Sequence, residues 1–328
     1  VHDPQQQRWR FMWMTGEIYG RQPAGCNWHK TLTKKHQNVG MKEGKNAKSI
    51  YYNETRTAKT AVHVDDPVNY SKRIKQYPEE SSYKLEYYKA LSAQLDLEEI
   101  ETLSTDQDLD YLSLRMSVSN DSEVCISNAD FVFKVVERHG TTGCNPATTP
   151  ISNDLLKIVG KEAELGLFLD AAGKTQYQAD VGELNWMANT FCPLLSVTVS
   201  LLAKRCPKPT ESGPKMIKQA IRWLAGNVDM CLKTKYIDHA GLITYSDSDH
   251  AGMHAIDGDK RSRLGIVATY NGMPIFWQSS WIKAVCLSSG NVEVYALAEA
   301  FKVALHLKWI CQELHIPVAD KVAVHCDA

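Results

Sequence analysis

The dipeptide Asn271-Gly272, set between two apolar runs, constrains the fold of this chain more than any other feature of its sequence. Asn-Gly is the strongest short-range signal for a hairpin, because both residues accept the positive φ angles of a tight turn. It predicts paired strands over 264–270 and 274–278. The surrounding residues predict further strands at 242–246, 282–287 and 322–326, and a long helix at 293–314. The predicted order is strand, hairpin, strand, helix and a last strand.

The residues before this region predict a mixture of short strands and helices. A strand is predicted at 58–64 and is expected to stop at Asp65-Asp66-Pro67, because proline ends a strand and favours a turn. The other predictions are a helix at 83–97, strands at 111–118 and 124–126, a helix at 129–138, a loop at 145–153, an apolar helical region at 181–203 interrupted at Pro193, and a helix from Pro214 to Gly226.

Three acidic residues in the last third of the chain are candidate metal ligands. Asp247 closes the first predicted strand, Glu293 opens the long helix and Asp327 closes the last strand. A helix packed across such a sheet brings its first turn near the strand ends. Three carboxylates there would make an oxygen-rich site suited to Mg²⁺ or Mn²⁺, and two such ions support phosphodiester hydrolysis.

Each of these acids also has an ordinary structural interpretation. Aspartate at a strand end is commonly a turn residue, and glutamate in a first helical turn interacts favourably with the helix dipole. The combination of three acids in this order of elements favours the metal site.

Charge and cysteine content limit the classes of protein that this chain can belong to. The net charge is −1, but residues 1–60 carry eleven Lys and Arg against four Asp and Glu, and residues 203–235 carry eight against two. Such basic blocks fit a surface that contacts phosphate, and they equally fit ordinary solvated faces. Nine cysteines without regular spacing predict free thiols in a reducing compartment. No apolar run is long enough to span a membrane, and both ends are expected to be cut from a longer product.

The motifs around the three acids resemble one known family. Residues 245–252 read Tyr-Ser-Asp-Ser-Asp-His-Ala-Gly and are similar to Y-S-D-A-D-W-A-G, which opens the ribonuclease H of copia-type retrotransposons. Residues 287–300 resemble the family's L-S-S-T-E-A-E-Y-x-A-L-A-E-A, and residues 325–327 resemble its x-C-D-N. The resemblance implies that Asp247, Glu293 and Asp327 bind the metal ions. The family's fourth acid would follow the last residue of this chain.

Earlier segments resemble the reverse transcriptase of the same family. Residues 181–190 are similar to V-G-x-L-x-Y-L-A-x-T, and residues 221–226 to L-R-Y-L-K-G. Residues 18–28 fit L-Y-G-L-K-Q-A-P-R-A-W in part, and residues 63–66 fall where the family has Y-V-D-D. The resemblance implies that Asp65 and Asp66 sit at a hairpin tip and hold the metals of nucleotidyl transfer. Without the flanking matches, a lone Asp-Asp-Pro would favour a solvated turn.

Several positions depart from the family pattern. His63 replaces the usual tyrosine, and Pro67 stands where an apolar strand residue is expected. Pro23 occupies the place of a nucleotide-facing glutamine, and Gly290-Asn291 replaces Thr-Glu ahead of Glu293. The family's first catalytic aspartate would precede Val1. The chain is therefore expected not to polymerise DNA, and residues 1–60 are expected to pack loosely for want of partner strands.

The resemblance implies an α+β fold: a partial reverse-transcriptase palm and thumb-like part over 1–150, a helical connection over 151–236, and a ribonuclease H-like α/β domain with a mixed sheet over 237–328. It further implies Mg²⁺ or Mn²⁺ as cofactor. The implied partners are an RNA–DNA hybrid, an RNA template with a DNA primer, and other segments of the same polyprotein, with no membrane. The implied location is intracellular, in cytoplasmic virus-like particles and the nucleus. The alternative is a catalytically dead retroelement relic that at most binds nucleic acid.

Overall fold

The computed structural model describes residues 2–3, 8–9, 24–71, 82–95, 97, 101–120, 123–234, 241–254 and 258–327. The chain divides into two compact units, Val1–Glu99 with Glu313–His315 and Ile100–Gln312 with Ile316–Ala328. It is a mixed α/β protein with several sheets. The predicted polymerase motif at 18–23 and the predicted boundary near residue 237 lie outside the described residues. The domain limits at 150 and 236 stay predictions.

The first unit contains two helices and a four-stranded antiparallel sheet of order β3-β4-β5-β6. Its elements are β1 His2–Asp3, β2 Arg8–Trp9, α1 Ala24–Asn38, β3 Lys42–Glu43, β4 Ile50–Tyr52, β5 Ala58–His63, β6 Asp66–Ser71 and α2 Ser82–Ser92. Met41, Tyr51 of β4, and Tyr87 and Leu91 of α2 form a small core in this unit. The buried His36 ring of α1 stacks on Tyr51 with centroids 4.0 Å apart.

Three predictions for this unit are corrected by its structure. The predicted loose packing is wrong for the described part of residues 1–60, because Met41, Tyr51 and their neighbours are buried. Pro67 does not stop a strand: it lies within β6 and pairs with Val62. Proline is tolerated there because β6 is at the edge of the sheet, where its missing N–H does not interrupt the hydrogen bonds between interior strands. The helix predicted at 83–97 ends at Ser92.

The second unit begins with a four-stranded sheet, of order β10-β9-β8-β7, and a helical layer. The elements are β7 Leu109–Tyr111, β8 Leu114–Val118, β9 Val124–Ser127, α3 Ala129–Arg138, α4 Asn153–Leu165, α5 Ala171–Thr190, a 3₁₀ turn Pro193–Leu195, α6 Ser196–Arg205, α7 Gly213–Ala225 and β10 Cys231–Lys233. The side chains of Asn128, Ser152 and Asp170 cap α3, α4 and α5, as these residue types do at helix starts. Helices α5 and α7 supply much of the core.

The same unit ends in a mixed sheet, called here the carboxy-terminal sheet, of order β13-β12-β11-β14. It consists of β11 Leu242–Asp249, β12 Arg263–Tyr270, β13 Met273–Trp281 and β14 Ala323–Cys326, with helix α8 Ser289–Glu313 between the last two. Strands β11, β12 and β13 are antiparallel, whereas β14 runs parallel to β11. The predicted strand at 242–246, the hairpin, the long helix and the last strand are confirmed in this order.

The predicted hairpin is also confirmed, and its turn has the expected backbone. Asn271 and Gly272 have φ angles of 49° and 78°, which place both in the left-handed region that a two-residue turn requires. The strand predicted at 282–287 is wrong, because β13 ends at Trp281 and a loop leads to α8. Val285 and Leu287 are apolar but exposed in that loop. The prediction failed because it took an apolar run for a buried strand.

The two faces of the carboxy-terminal sheet are covered by different helices. On one face, Val292, Ala296 and Ala300 of α8 pack on Leu264 and Ile266 of β12. On the other face, the indole of Trp277 in β13 donates a 2.6 Å hydrogen bond to the Ala188 carbonyl of α5. Small alanines along α8 let this helix lie close to the sheet, which fixes where its first turn meets the strand ends.

No helix in the described part of the chain is long and apolar enough to cross a membrane. All nine cysteines are free, as the sequence predicts. Burial raises the pKa of the Cys192 thiol to about 12, so this core cysteine stays protonated and unreactive.

Candidate active site

The parallel pairing of β11 with β14 determines which residues meet at one end of the carboxy-terminal sheet. Ser246 of β11 is the register partner of Cys326 of β14. The next residues along each strand are Asp247 and Asp327. Because parallel strands leave the sheet at the same edge, both aspartates lie at that edge.

Glu293 reaches this edge from the first turns of α8. Its carboxylate accepts a hydrogen bond of 2.5 Å from the Ser248 hydroxyl at Oε1. The Cys326 thiol lies 3.7 Å from Oε2, within hydrogen-bond range for sulfur. A helix residue is thus held by side chains from two neighbouring strands, which fixes the direction of its carboxylate.

The carboxylates of Glu293 and Asp327 form a compact donor group with the Cys326 thiol. One ligand atom from each of these residues lies within 4.8 Å of the other two. Among the described residues, Asp247 does not join this group. Its carboxylate instead accepts a 2.7 Å hydrogen bond from the backbone N–H of Ser248.

The alternation of side chains along β11 explains the position of Asp247. Successive strand residues point to opposite faces, and Ser248 points to the face of Glu293. Tyr245 belongs to the opposite face, where its ring stacks on His325 of β14 with centroids 5.3 Å apart. Asp247 has the parity of Tyr245, so its side chain belongs to the face of β11 opposite Glu293.

The donor set fits a hard divalent cation through its oxygens. The carboxylates of Glu293 and Asp327 and the hydroxyl of Ser248 offer oxygen ligands of the kind that Mg²⁺ and Mn²⁺ prefer. The thiol of Cys326 is a soft ligand and does not suit Mg²⁺. Its place in the site is that of a hydrogen-bond donor to Glu293.

Sequence reasoning missed Ser248 and Cys326 as members of this site. Each lies next to a predicted acid and inside a quoted motif. This position beside a predicted metal ligand was the signal that could have identified them. Their contact with Glu293 depends on the α8 position and on strand parity, which the sequence alone does not provide.

The second pair of predicted ligands lies in the first unit. Asp65 occupies the turn between β5 and β6, and Asp66 opens β6 opposite His63. Both side chains are exposed. The prediction of a short turn between two strands is confirmed, while a catalytic role for Asp65 and Asp66 stays a prediction.

The turn that carries Asp65 is strained. Val64 has a φ of 58°, a left-handed conformation that is rare and unfavourable for a β-branched residue. The indole N–H of Trp28 in α1 donates to the Val64 carbonyl and helps hold this conformation. Strained backbone of this kind clusters at functional sites.

A group of cations surrounds Trp281 at the end of β13. Lys204 of α6, Arg261 and Arg263 lie over its ring, with distances of 5.2, 5.0 and 4.4 Å to the centroid. Asp259 bonds two of them, at 2.6 Å from Lys204 and 2.7 Å from Arg261. These residues are called the Trp281 cluster below. Lys204, Arg261 and Trp281 border a groove of about 500 Å³ that Asn185, Asn189 and Gln278 also line.

Several of the known proteins that this chain resembles come from transposons. No protein-family model matches the chain. The putative transposon Ty5-1 protein of Saccharomyces cerevisiae is 24% identical over 278 residues, covering 84% of this chain and 83% of that protein. The retrovirus-related Pol polyprotein from transposon TNT 1-94 of Nicotiana tabacum is 28% identical over 204 residues, covering 62% of this chain and 15% of the polyprotein. The corresponding polyprotein from transposon RE1 of Arabidopsis thaliana is 27% identical over 239 residues, 67% of this chain and 15% of its own length.

The homologues of this chain are therefore Pol polyproteins of Ty and copia-type retrotransposons. The chain spans about 15% of the length of the two plant polyproteins quoted.

The Trp281 cluster predicts a specific pH dependence of stability. The pKa of Asp259 is held well below its ordinary value of 3.8, chiefly because Arg261 donates hydrogen bonds to it and Lys204 adds another, against the effect of burial. A depressed folded-state pKa stabilises the fold above the unfolded-state pKa, and this contribution disappears as the pH falls through the folded-state value. Asp259→Asn is expected to lower the free energy of unfolding by roughly 1–2 kcal/mol at pH 7, since the partly exposed Arg261 weakens the pair.

Urea unfolding of the two proteins from pH 7 down to pH 2 measures this effect. The difference between them is expected to shrink below about pH 4. Asp320→Asn, at an exposed position, is the matched control and is expected to change little. A constant difference at all pH values would mean that the Asp259 pairs do not cause it.

Proposed function

We propose that this chain is part of a retrotransposon RNA-directed DNA polymerase with ribonuclease H activity, and that its carboxy-terminal sheet hydrolyses the RNA strand of RNA–DNA hybrids with Mg²⁺ or Mn²⁺. The observation that carries the proposal is the meeting of Glu293 and Asp327 within 4.8 Å, beside the last residues of β11, which include Asp247. The homology to Pol polyproteins supports it. The proposed fold of the carboxy-terminal sheet and α8 is a ribonuclease H-like domain. The proposed fold of the first unit is the remnant of a reverse-transcriptase palm.

Each residue of the site has a distinct task in this proposal. Glu293, Asp327 and Asp247 would hold the metal ions, which when bound activate a water and stabilise the leaving oxygen of the phosphodiester. Ser248 and Cys326 donate to the two oxygens of Glu293 and hold its carboxylate toward Asp327. They act as positioning residues, because such donors orient a ligand without touching the reacting atoms.

The Trp281 cluster supports a nucleic acid as the substrate. It gathers three cationic side chains around one indole ring, and positive side chains bind phosphate with little regard to base sequence. The cluster also lies at the same end of the sheet as the acids. Asp249 of β11 pairs with Arg263 of β12, which pairs with Trp281 of β13.

The cluster and Glu293 lie at the same end of the sheet but belong to opposite faces, because Lys204 and Trp281 lie on the face covered by α5 and α6, whereas Glu293 belongs to α8. Strands β11 and β13 are two neighbours apart, which corresponds to about 10 Å across the sheet. A nucleic-acid strand that contacts both places would therefore pass around this end of the sheet, with a rise of about 3.4 Å per nucleotide. The cluster would hold phosphates on one side of the scissile bond while the acids face that bond.

The hairpin of β5 and β6 is proposed as the remnant of the polymerase site. Asp65 and Asp66 would be two of the carboxylates used in nucleotidyl transfer, and the strained turn at Val64 supports a functional origin.

Substitution of a single metal-binding acid is expected to abolish cleavage of the hybrid. With Mg²⁺ or Mn²⁺, the unchanged chain should cut the labelled RNA strand of an RNA–DNA hybrid and leave the DNA strand whole. Asp247→Asn and Glu293→Gln should each lower the rate at least about 100-fold, because metal ligation and charge are lost with little change of shape. Gel analysis of end-labelled hybrid measures this.

Asp66→Asn serves as the matched control, since it removes an acid from the other unit and should leave cleavage unchanged. Equal cleavage by the unchanged chain and by Asp247→Asn would contradict the proposed site. The proposed site would also be contradicted if the unchanged chain bound the hybrid without cutting it. That result would favour the alternative of a catalytically dead retroelement relic that binds nucleic acid.

Removal of cations from the Trp281 cluster is expected to weaken hybrid binding without regard to sequence. Lys204→Gln and Arg261→Gln should each lower affinity several-fold and reduce the salt dependence of binding by about one counterion. Fluorescence anisotropy in EDTA measures binding apart from cleavage. Lys302→Gln, an exposed lysine on α8, is the control. Unchanged affinity and salt slope in both cluster variants would exclude the cluster from the interface.

A further inference from the structure

A second donor group lies in the helical part of the second unit, away from the residues assigned to hydrolysis. It consists of His139, Asp180 and Glu183, whose ligand atoms lie within 4.8 Å of one another. His139 Nε2 is 3.6 Å from Asp180 Oδ1 and 4.0 Å from Glu183 Oε2. Their side chains retain 19%, 12% and 25% of full exposure. The group is therefore partly withdrawn from solvent and not a random surface cluster.

The fold places these three residues together for simple reasons. Asp180 and Glu183 are three residues apart on α5, so both project from one face of the helix. His139 is the C-cap of α3. The negative end of the α3 dipole faces the same place, which favours a bound cation there.

A buried oxygen of this group carries an ion pair but no hydrogen bond. Glu183 Oε2 is buried and accepts no hydrogen bond from any described residue, and Arg138 Nη2 lies 2.7 Å from it as an ion-pair partner. Gln176 Nε2 donates a 2.7 Å hydrogen bond to Asp180 Oδ1, so it would turn aside when Asp180 binds a metal through this oxygen. The Arg138 side chain is 56% exposed, so it can turn into solvent at little cost when another cation takes its place.

We propose that His139, Asp180 and Glu183 form a zinc site that joins α3 to α5. Imidazole nitrogen and carboxylate oxygen are both ligand atoms for Zn²⁺, and three protein ligands leave a fourth position for water. Imidazole selects a transition metal over Mg²⁺. The site is independent of the proposed hydrolysis and uses none of its residues. Arg138 competes with the metal for Glu183.

Zinc binding to the full chain is measured by competition with a chromophoric zinc indicator. Cys326→Ser with Glu293→Gln is the common background, because it removes the other donor group. One Zn²⁺ per chain is expected in this background. His139→Gln and Asp180→Asn should each weaken binding at least tenfold, whereas His306→Gln, at an exposed position on α8, should leave it unchanged. Arg138→Gln should tighten binding several-fold, since the competing cation is gone.

Co²⁺ in place of Zn²⁺ supplies a second readout that does not depend on affinity. Ligation by nitrogen and oxygen gives visible d–d bands without the near-ultraviolet charge-transfer band of a thiolate ligand. These bands are expected in the background protein and should vanish in His139→Gln. Unchanged zinc affinity in both His139→Gln and Asp180→Asn, or a thiolate band that persists in them, would overturn the proposal and leave an ion-pair group only. Weaker binding by Arg138→Gln would overturn it as well.

Discussion

The parallel pairing of β14 with β11 is the contact on which the candidate site depends. The strands before it are antiparallel, and an antiparallel fourth strand would have sent Asp327 to the far end of the sheet from Asp247. Helix α8 provides the crossover that a parallel return requires. The helix starts at the edge of the sheet where β11 and β14 end. Its first turns therefore bring Glu293 to that edge. One pairing therefore assembles residues that are 80 positions apart along the chain, as the partners Ser246 and Cys326 show.

Much of this arrangement could be predicted from the sequence because its signals are local. The Asn271-Gly272 turn fixes a hairpin by its backbone angles alone, and the stop at Gly226 fixes the end of α7. The run 282–287 misled because apolar residues there form an exposed loop, and burial is decided by the tertiary fold. Pro67 misled for a related reason, since only the sheet order reveals that β6 is an edge strand.

The site shows the same division between local and tertiary information. Sequence order was enough to bring Asp247, Glu293 and Asp327 to one edge. It was not enough to predict that Ser248, rather than Asp247, faces Glu293, because that depends on strand parity relative to the helix. Nor could it predict that Cys326 would donate to Glu293. A hard-cation site with a thiol beside its central carboxylate is a departure that only the packed structure reveals.

The central claim is that divalent metal binds at the edge where β11, β14 and α8 meet, and bound Fe²⁺ tests it most directly. With ascorbate and peroxide, Fe²⁺ in place of Mg²⁺ produces radicals that cut the backbone beside the metal, and mass spectrometry locates the cuts. Cuts are predicted near Asp247, Glu293 and Asp327, and they should disappear in Glu293→Gln. Cuts confined to other parts of the chain, or cuts that persist unchanged in Glu293→Gln, would contradict the account.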